Sequence, residues 1–160
     1  MDGGDNEIEE QVRRFGQRLR VCRTKAGLSQ LALAKRAGVD LAAVSFLERA
    51  KRAPNLNTLV RVARAAGVSP ASLLEDGPAV PAKRLPEAGD GDCLVRFGVN
   101  LRRVRHEADM SQEALAHDAR LDRAAISIIE RGTRAANLRT ILKLARALKV
   151  RPAALLAGID

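Results

Sequence analysis

Residues 28–56 read LSQLALAKRAGVDLAAVSFLERAKRAPNL, and residues 110–138 read MSQEALAHDARLDRAAISIIERGTRAANL. The two stretches align without a gap at an offset of 82 residues, and the register continues outward from both ends. Phe15-Gly16 meets Phe97-Gly98 and Pro70 meets Pro152, so that 31 of the 60 positions from Phe15 to Leu74 match their counterparts. A period this long marks a duplicated domain rather than a solenoid, because each copy is large enough to own a small core.

Apolar spacing and capping residues divide each copy into five short helices. The first covers about residues 7–26, where Val12, Phe15, Leu19 and Cys22 recur at helical spacing. Ser29 caps a second helix through Ala37, which Gly38 closes. Asp40 caps a third to about Arg49, Asn55 a fourth through Ala66, and Ser69-Pro70 opens a fifth. The second copy repeats these signals at Ser111, Asp122, Asn137 and Pro152, with Arg120 where the first has Gly38. The expected fold is all-α, divided into an acidic tail 1–10, a first domain 11–77, a linker 78–91 and a second domain 92–160. Around the linker, residues 77–91 are rich in Pro, Gly and Ala without a helical period, so the connection reads as flexible or partly extended.

Charge narrows the partners. The 160 residues hold 28 Lys and Arg against 19 Asp and Glu, a net of +9. Residues 11–77 carry 13 basic and 4 acidic groups (+9), residues 97–160 carry 12 and 7 (+5), and the first ten carry −5. Two basic domains point to a polyanion, with nucleic acid first. Only 2% of the residues are aromatic, which argues against a base-stacking platform or an aromatic ligand pocket. Two cysteines and two histidines cannot close a structural zinc site unaided, so no metal or cofactor is expected. No nucleophile–base signature or glycine-rich phosphate loop appears, so no catalytic residue is nominated and the chain reads as a non-enzyme. No apolar run is long enough for a membrane span, and an acidic start is wrong for a signal peptide. His106 and His117 read as surface residues and Cys22 as core, while Cys93 reads as buried or inert, with a reactive thiol as the alternative. So few cysteines fit a reducing cytoplasm.

A helix ending near Ala37, a three-residue turn and a new helix from Leu41 have helix-turn-helix spacing. The chain here resembles the λ-repressor-like (Cro/XRE-type) helix-turn-helix domains. The resemblance rests on Leu28-Ser29-Gln30, Leu33-Ala34, Gly38-Val39, Val44-Ser45, Leu47-Glu48-Arg49, Asn55-Leu56, Thr58-Leu59 and Val68-Ser69-Pro70. The second copy carries it on Met110-Ser111-Gln112, Leu115-Ala116, Ile126-Ser127, Ile129-Glu130-Arg131-Gly132, Asn137-Leu138, Thr140-Ile141 and Val150. It implies two tandem five-helix domains of this type and a bacterial or phage origin.

At about 100° per residue, Leu41, Ala42, Ser45 and Phe46 share one face of the third helix. Ala43, Val44 and Leu47 form the opposite, core-facing side. The resemblance assigns base readout to Asp40, Leu41, Ala42, Ser45 and Phe46, and to Asp122, Arg123, Ala124, Ser127 and Ile128. The pattern departs from the family at Phe46 and Ile128, where a long polar or basic side chain is usual. Arg123 alone is a strong base reader, suited to guanine O6 and N7. For Phe46, base contact and protein contact both stand open. Phosphate contact is expected from Ser29, Gln30, Arg49, Lys51, Arg52 and Asn55, and from Ser111, Gln112, Arg131, Thr133, Arg134 and Asn137. The resemblance further implies structural ion pairs between Arg23 and Glu48 and between Arg105 and Glu130.

These readings converge on a transcription regulator, a repressor, that binds double-stranded promoter or operator DNA as an intramolecular pseudo-dimer on two imperfect half-sites. A homodimer or another protein partner stays open, and the second class is a protein-interaction or antitoxin-like module with one domain turned from DNA to protein. No small-molecule ligand is indicated.

Overall fold

The computed structural model describes residues 3–82 and 90–160. In the first copy α1 (Gly3–Lys25), α2 (Gln30–Ala37), α3 (Leu41–Glu48) and α4 (Leu56–Ala65) lead into a 3-10 turn, Pro70–Leu73. The second copy repeats the order as α5 (Asp90–Glu107), α6 (Gln112–Ala119), α7 (Arg123–Glu130), α8 (Leu138–Ala147) and the single turn α9 (Pro152–Leu155). The chain is all-α, with no strand among the described residues. Residues 1–2 of the acidic tail and 83–89 of the linker lie outside the described residues.

Local chemistry explains the element ends. Ser29 Oγ accepts from Ala32 N–H and Ser111 Oγ from Ala114 N–H, each at 3.0 Å, which satisfies an otherwise orphaned donor. Asn55 caps α4 through Thr58 N–H, and Asn137 caps α8 through Arg139 N–H. Gly38 ends α2 in the left-handed region, and Arg120 takes the same conformation after α6 at φ 55°. Asp40 and Asp122 occupy N-cap positions, but neither side chain makes the capping hydrogen bond expected of it. Their charge still lies at a helix N-terminus, where the macrodipole favours it.

The core is continuous across both copies. Phe15, Leu19, Leu33, Val44, Leu47, Leu56 and Leu59 fill the first, and Phe97, Leu101, Leu115, Ile126, Ile129, Leu138 and Ile141 fill the second. Gly16 and Gly98 bring the first helix of each copy against the end of its third. A Cβ on Gly16 would lie 2.6 Å from Leu47 O, and one on Gly98 2.5 Å from Glu130 O. Only a residue without a side chain permits that approach.

Two expectations change. The first helix begins at Gly3, not near residue 7, so the described part of the acidic tail is helical. Ile8 is buried, and the added turns run onto the second copy, where Glu9 pairs with Arg139 at 2.6 Å. Burial of an apolar residue and a charge pair outweigh the weak helix preference of the glycines there. The start of the linker is also ordered: Ser69 N–H donates to Val80 O at 2.8 Å and Ala82 N–H to Gly67 O at 3.1 Å.

The copies meet about an approximate two-fold axis. Leu56 N–H donates to Ala136 O at 2.9 Å, and Leu138 N–H to Pro54 O at 2.8 Å. Leu56 and Leu138, like Pro54 and Ala136, are repeat counterparts, so one hydrogen bond is the image of the other. Such reciprocity defines an isologous interface.

Candidate nucleic-acid interface

Helices α3 and α7 are each apolar on one side and open on the other. Val44 and Leu47 are buried, as are Ile126 and Ile129. Leu41 and Ala42 are exposed, with Ser45 and Phe46 half-buried beside them; Arg123, Ala124, Ser127 and Ile128 repeat the arrangement. In the second copy these four residues line, with Gln112 and Arg131, a shallow depression of about 440 Å³. Asp40 and Asp122 are exposed at the helix starts. Arg123 leans toward Glu113 at 3.4 Å, yet its side chain remains 64% exposed.

A buried ion pair supports each of these helices. Arg105 grips Glu130 with Nε–Oε1 at 2.6 Å and Nη2–Oε2 at 3.2 Å, while Nη1 donates to Met110 O at 2.8 Å. Arg23 holds Glu48 through Nε and Nη2 and donates from Nη1 to Leu28 O at 2.8 Å. One guanidinium thereby ties the first helix, the start of the second and the end of the third. Gln30 and Gln112, nominated for phosphate, donate an amide hydrogen to Glu48 and Glu130 at 2.9 and 2.8 Å. Burial pushes the Glu130 carboxyl up, but hydrogen bonds from Arg105 and Gln112 and the arginine charges outweigh it and hold it below its ordinary value. The hydrogen bond to Glu48 raises the Arg23 guanidinium above its usual value.

The basic loops behind the third helices are open to solvent. Arg49, Lys51 and Arg52 are exposed, as are Arg131, Thr133 and Arg134. Arg49 Nε and Arg131 Nε both donate to a carbonyl one turn back, Ser45 O and Ser127 O, at 3.3 Å. Thr133 Oγ1 donates to Ile128 O at 3.2 Å. Ser29 and Ser111 use their hydroxyls as caps. Asn55 and Asn137 face each other in an antiparallel bridge at the junction of the copies. The N–H groups of the next residues, Leu56 and Leu138, are bonded across that junction.

Three features were not anticipated from the sequence. Glu9–Arg139 clasps the first helix to the second copy, and its hydrogen bond holds the Glu9 carboxyl below its ordinary value. The signal was divergence: their repeat counterparts, Gly91 and Asn57, cannot form this pair. Gly16 and Gly98 were matched without a role, although a repeated glycine inside a helix already signals close approach. The Phe46 ring lies beneath two guanidiniums, with Arg49 Cζ 5.5 Å and Arg52 Cζ 5.6 Å from its centroid. His106 and His117 are exposed, and Cys22 and Cys93 are buried and free. Among the described residues no cluster of three His, Cys, Asp or Glu is placed to hold a metal ion, and no helix is long and apolar enough to cross a membrane.

A helix-turn-helix family model matches residues 19–73 and again residues 101–155. The chain is 48% identical over 61 residues to the control protein C.BamHI of Bacillus amyloliquefaciens, a match covering 38% of this chain and 75% of that protein. Among solved structures it is similar to the restriction-modification controller protein C.AhdI from Aeromonas hydrophila, at 47% identity and a TM-score of 0.38. That match covers 39% of this chain and 94% of the other.

Proposed function

The chain belongs to the Cro/XRE-type helix-turn-helix family, and from that premise we propose that it represses transcription by binding double-stranded operator DNA as an intramolecular pseudo-dimer. The observation that carries this reading is the reciprocal pair Leu56 N–Ala136 O and Leu138 N–Pro54 O. Operator DNA with inverted half-sites has its own two-fold axis, and a protein with a matching axis presents equivalent helices to successive major grooves. Here α3 and α7 enter the grooves, while Arg49, Lys51, Arg52, Arg131 and Arg134 contact phosphate. The relative from Bacillus amyloliquefaciens aligns over about the length of one copy, so two such units stand in one polypeptide here. The name of the Bacillus amyloliquefaciens relative, a control protein, supports a regulatory role.

The two half-sites differ. Arg123 takes guanine in one, while Leu41, its counterpart, suits a thymine methyl in the other. The alternative of a protein-contact domain rested on Phe46 and Ile128 as open apolar residues, and Phe46 instead carries two cations over its ring. Selection of binders from a random duplex pool tests the proposal. It should return two unequal inverted half-sites centred about 10 base pairs apart, and a reporter whose promoter overlaps that sequence should be shut down. Recovery of one isolated half-site, with the second copy dispensable, would overturn the pseudo-dimer. An Arg123→Ala chain with unchanged DNA affinity would favour the protein-contact reading.

A further inference from the structure

The two copies treat one position of the third helix differently, and the difference falls on the basic loop behind it. In the second copy the position is Ile128, and Thr133 Oγ1 pins the loop by donating to Ile128 O at 3.2 Å. In both copies a backbone N–H ties the loop to that carbonyl, Lys51 N–H to Phe46 O at 2.8 Å and Thr133 N–H to Ile128 O at 3.3 Å. Lys51 replaces the threonine in the first copy, so no side-chain hydroxyl adds to the tie there. What the first copy has instead is the Phe46 ring, with Arg49 and Arg52 within 6 Å of its centroid. All three cations of this loop, Arg49, Lys51 and Arg52, are exposed. Like charges so close would otherwise spread apart into solvent, each retaining most of its side-chain freedom. The one aromatic ring attracts both guanidiniums and limits that spread. A guanidinium held against a ring by cation–π attraction spends no N–H group on that contact, so that Arg49, whose Nε donates to Ser45 O, still has its terminal N–H groups to offer a phosphate.

We propose that Phe46 is a positioning residue for phosphate contact: its ring holds Arg49 and Arg52 ready for the DNA backbone and reads no base itself. This rests on the DNA-binding reading above and deepens it into a division of labour. The first copy, with the greater positive charge and Leu41, Ala42 and Ser45 on its open face, anchors the chain to the backbone. The second, with Arg123, supplies the hydrogen-bonded base contact.

The test is the salt dependence of binding to a random-sequence duplex of about 30 base pairs, and to the same duplex carrying the selected operator, for the full chain and its Phe46 variants. Removing one phosphate–cation pairing lowers the slope of log affinity against log salt by about 0.9. Phe46→Leu, which stays apolar but has no ring, should lower the slope by about 1 to 2. It should weaken binding by the same factor on every base variant of the operator. Phe46→Tyr, which keeps an aromatic face, should restore the wild-type slope. In an Arg49→Gln, Arg52→Gln background, Phe46→Leu should have no further effect on the slope. That cycle decides the matter even if Phe46→Leu alone folds poorly. An unchanged slope with altered preference at one base pair would overturn the proposal, because the ring would then be a base reader. Equal weakening by Leu and Tyr would also overturn it. If the wild-type chain binds no duplex at any salt, the DNA-binding reading fails as well, an outcome distinct from an unchanged slope in a chain that binds.

Discussion

Glu130→Gln removes a charge from the pair that mounts α7 while keeping the size of the side chain. The Glu130 and Arg105 side chains are only 5% and 8% exposed, so water screens the remaining charge poorly. In the variant Arg105 keeps its bond to Met110 O but faces no carboxylate. Removing one partner of a buried ion pair typically costs about 3–5 kcal/mol, because the other is left uncompensated. At about 2–4 °C per kcal/mol for a chain of this size, Tm should fall by roughly 6–20 °C. The pH dependence carries a sign. Because the Glu130 carboxyl is held below its unfolded value, its contribution is complete at neutral pH and is lost as pH falls through the lowered folded value. The gap between wild type and Glu130→Gln should therefore be widest near pH 7 and narrow in acid. Thermal melts followed by circular dichroism across that range measure both effects. A variant within about 1 kcal/mol of wild type at pH 7 would refute the reasoning, as would a gap that widens in acid. Replacing both members, Arg105→Met with Glu130→Leu, should cost less than the single change, since no charge is stranded.

Gly98→Ala should destabilise by about 1–3 kcal/mol, because the new Cβ meets the Glu130 carbonyl and the backbone must shift. DNA affinity should fall further than stability alone explains, and titration at a temperature where the variant is fully folded separates the two. Lys149→Gly should stabilise by about 0.5–1 kcal/mol by relieving a left-handed residue at φ 55° whose counterpart is Gly67; a lower Tm would contradict this. Arg139→Ala should cost under about 1 kcal/mol, since the Glu9–Arg139 pair is partly exposed. Its clearer effect should be faster amide hydrogen exchange at residues 3–10, and unchanged exchange there would show that the pair is not what holds the helix start.

The helices were legible because they depend on short-range chemistry that the repeat states twice, whereas the ion pairs that mount them, Arg23–Glu48 and Arg105–Glu130, span 25 residues and were expected only because the family resemblance implied them. Ser29 and Ser111, Asn55 and Asn137, and the alternation of open and buried faces from Leu41 to Leu47 and from Arg123 to Ile129 are all local patterns. What escaped the sequence depends on distance. Glu9 and Arg139 are 130 residues apart, and nothing in the periodicity of either helix says that they meet. The reciprocal hydrogen bonds at Leu56 and Leu138 use backbone groups, which carry no residue signature. The surroundings of Phe46 escaped for a different reason. Helical geometry puts it on the open face, but the two arginines that cover it come from the helix end and the following loop, beyond the reach of a helical wheel. The outward positions were therefore read as surface before their own neighbours could be placed on them.

The pseudo-dimer is tested most directly by counting the chains that occupy one operator. Native mass spectrometry of the protein titrated onto a duplex carrying the selected operator measures this, with hydroxyl-radical footprinting of the same complex. A pseudo-dimer places one chain on each duplex, with both half-sites protected on one face of the DNA from the first equivalent onward. Two chains per duplex, each protecting a single half-site, would contradict it.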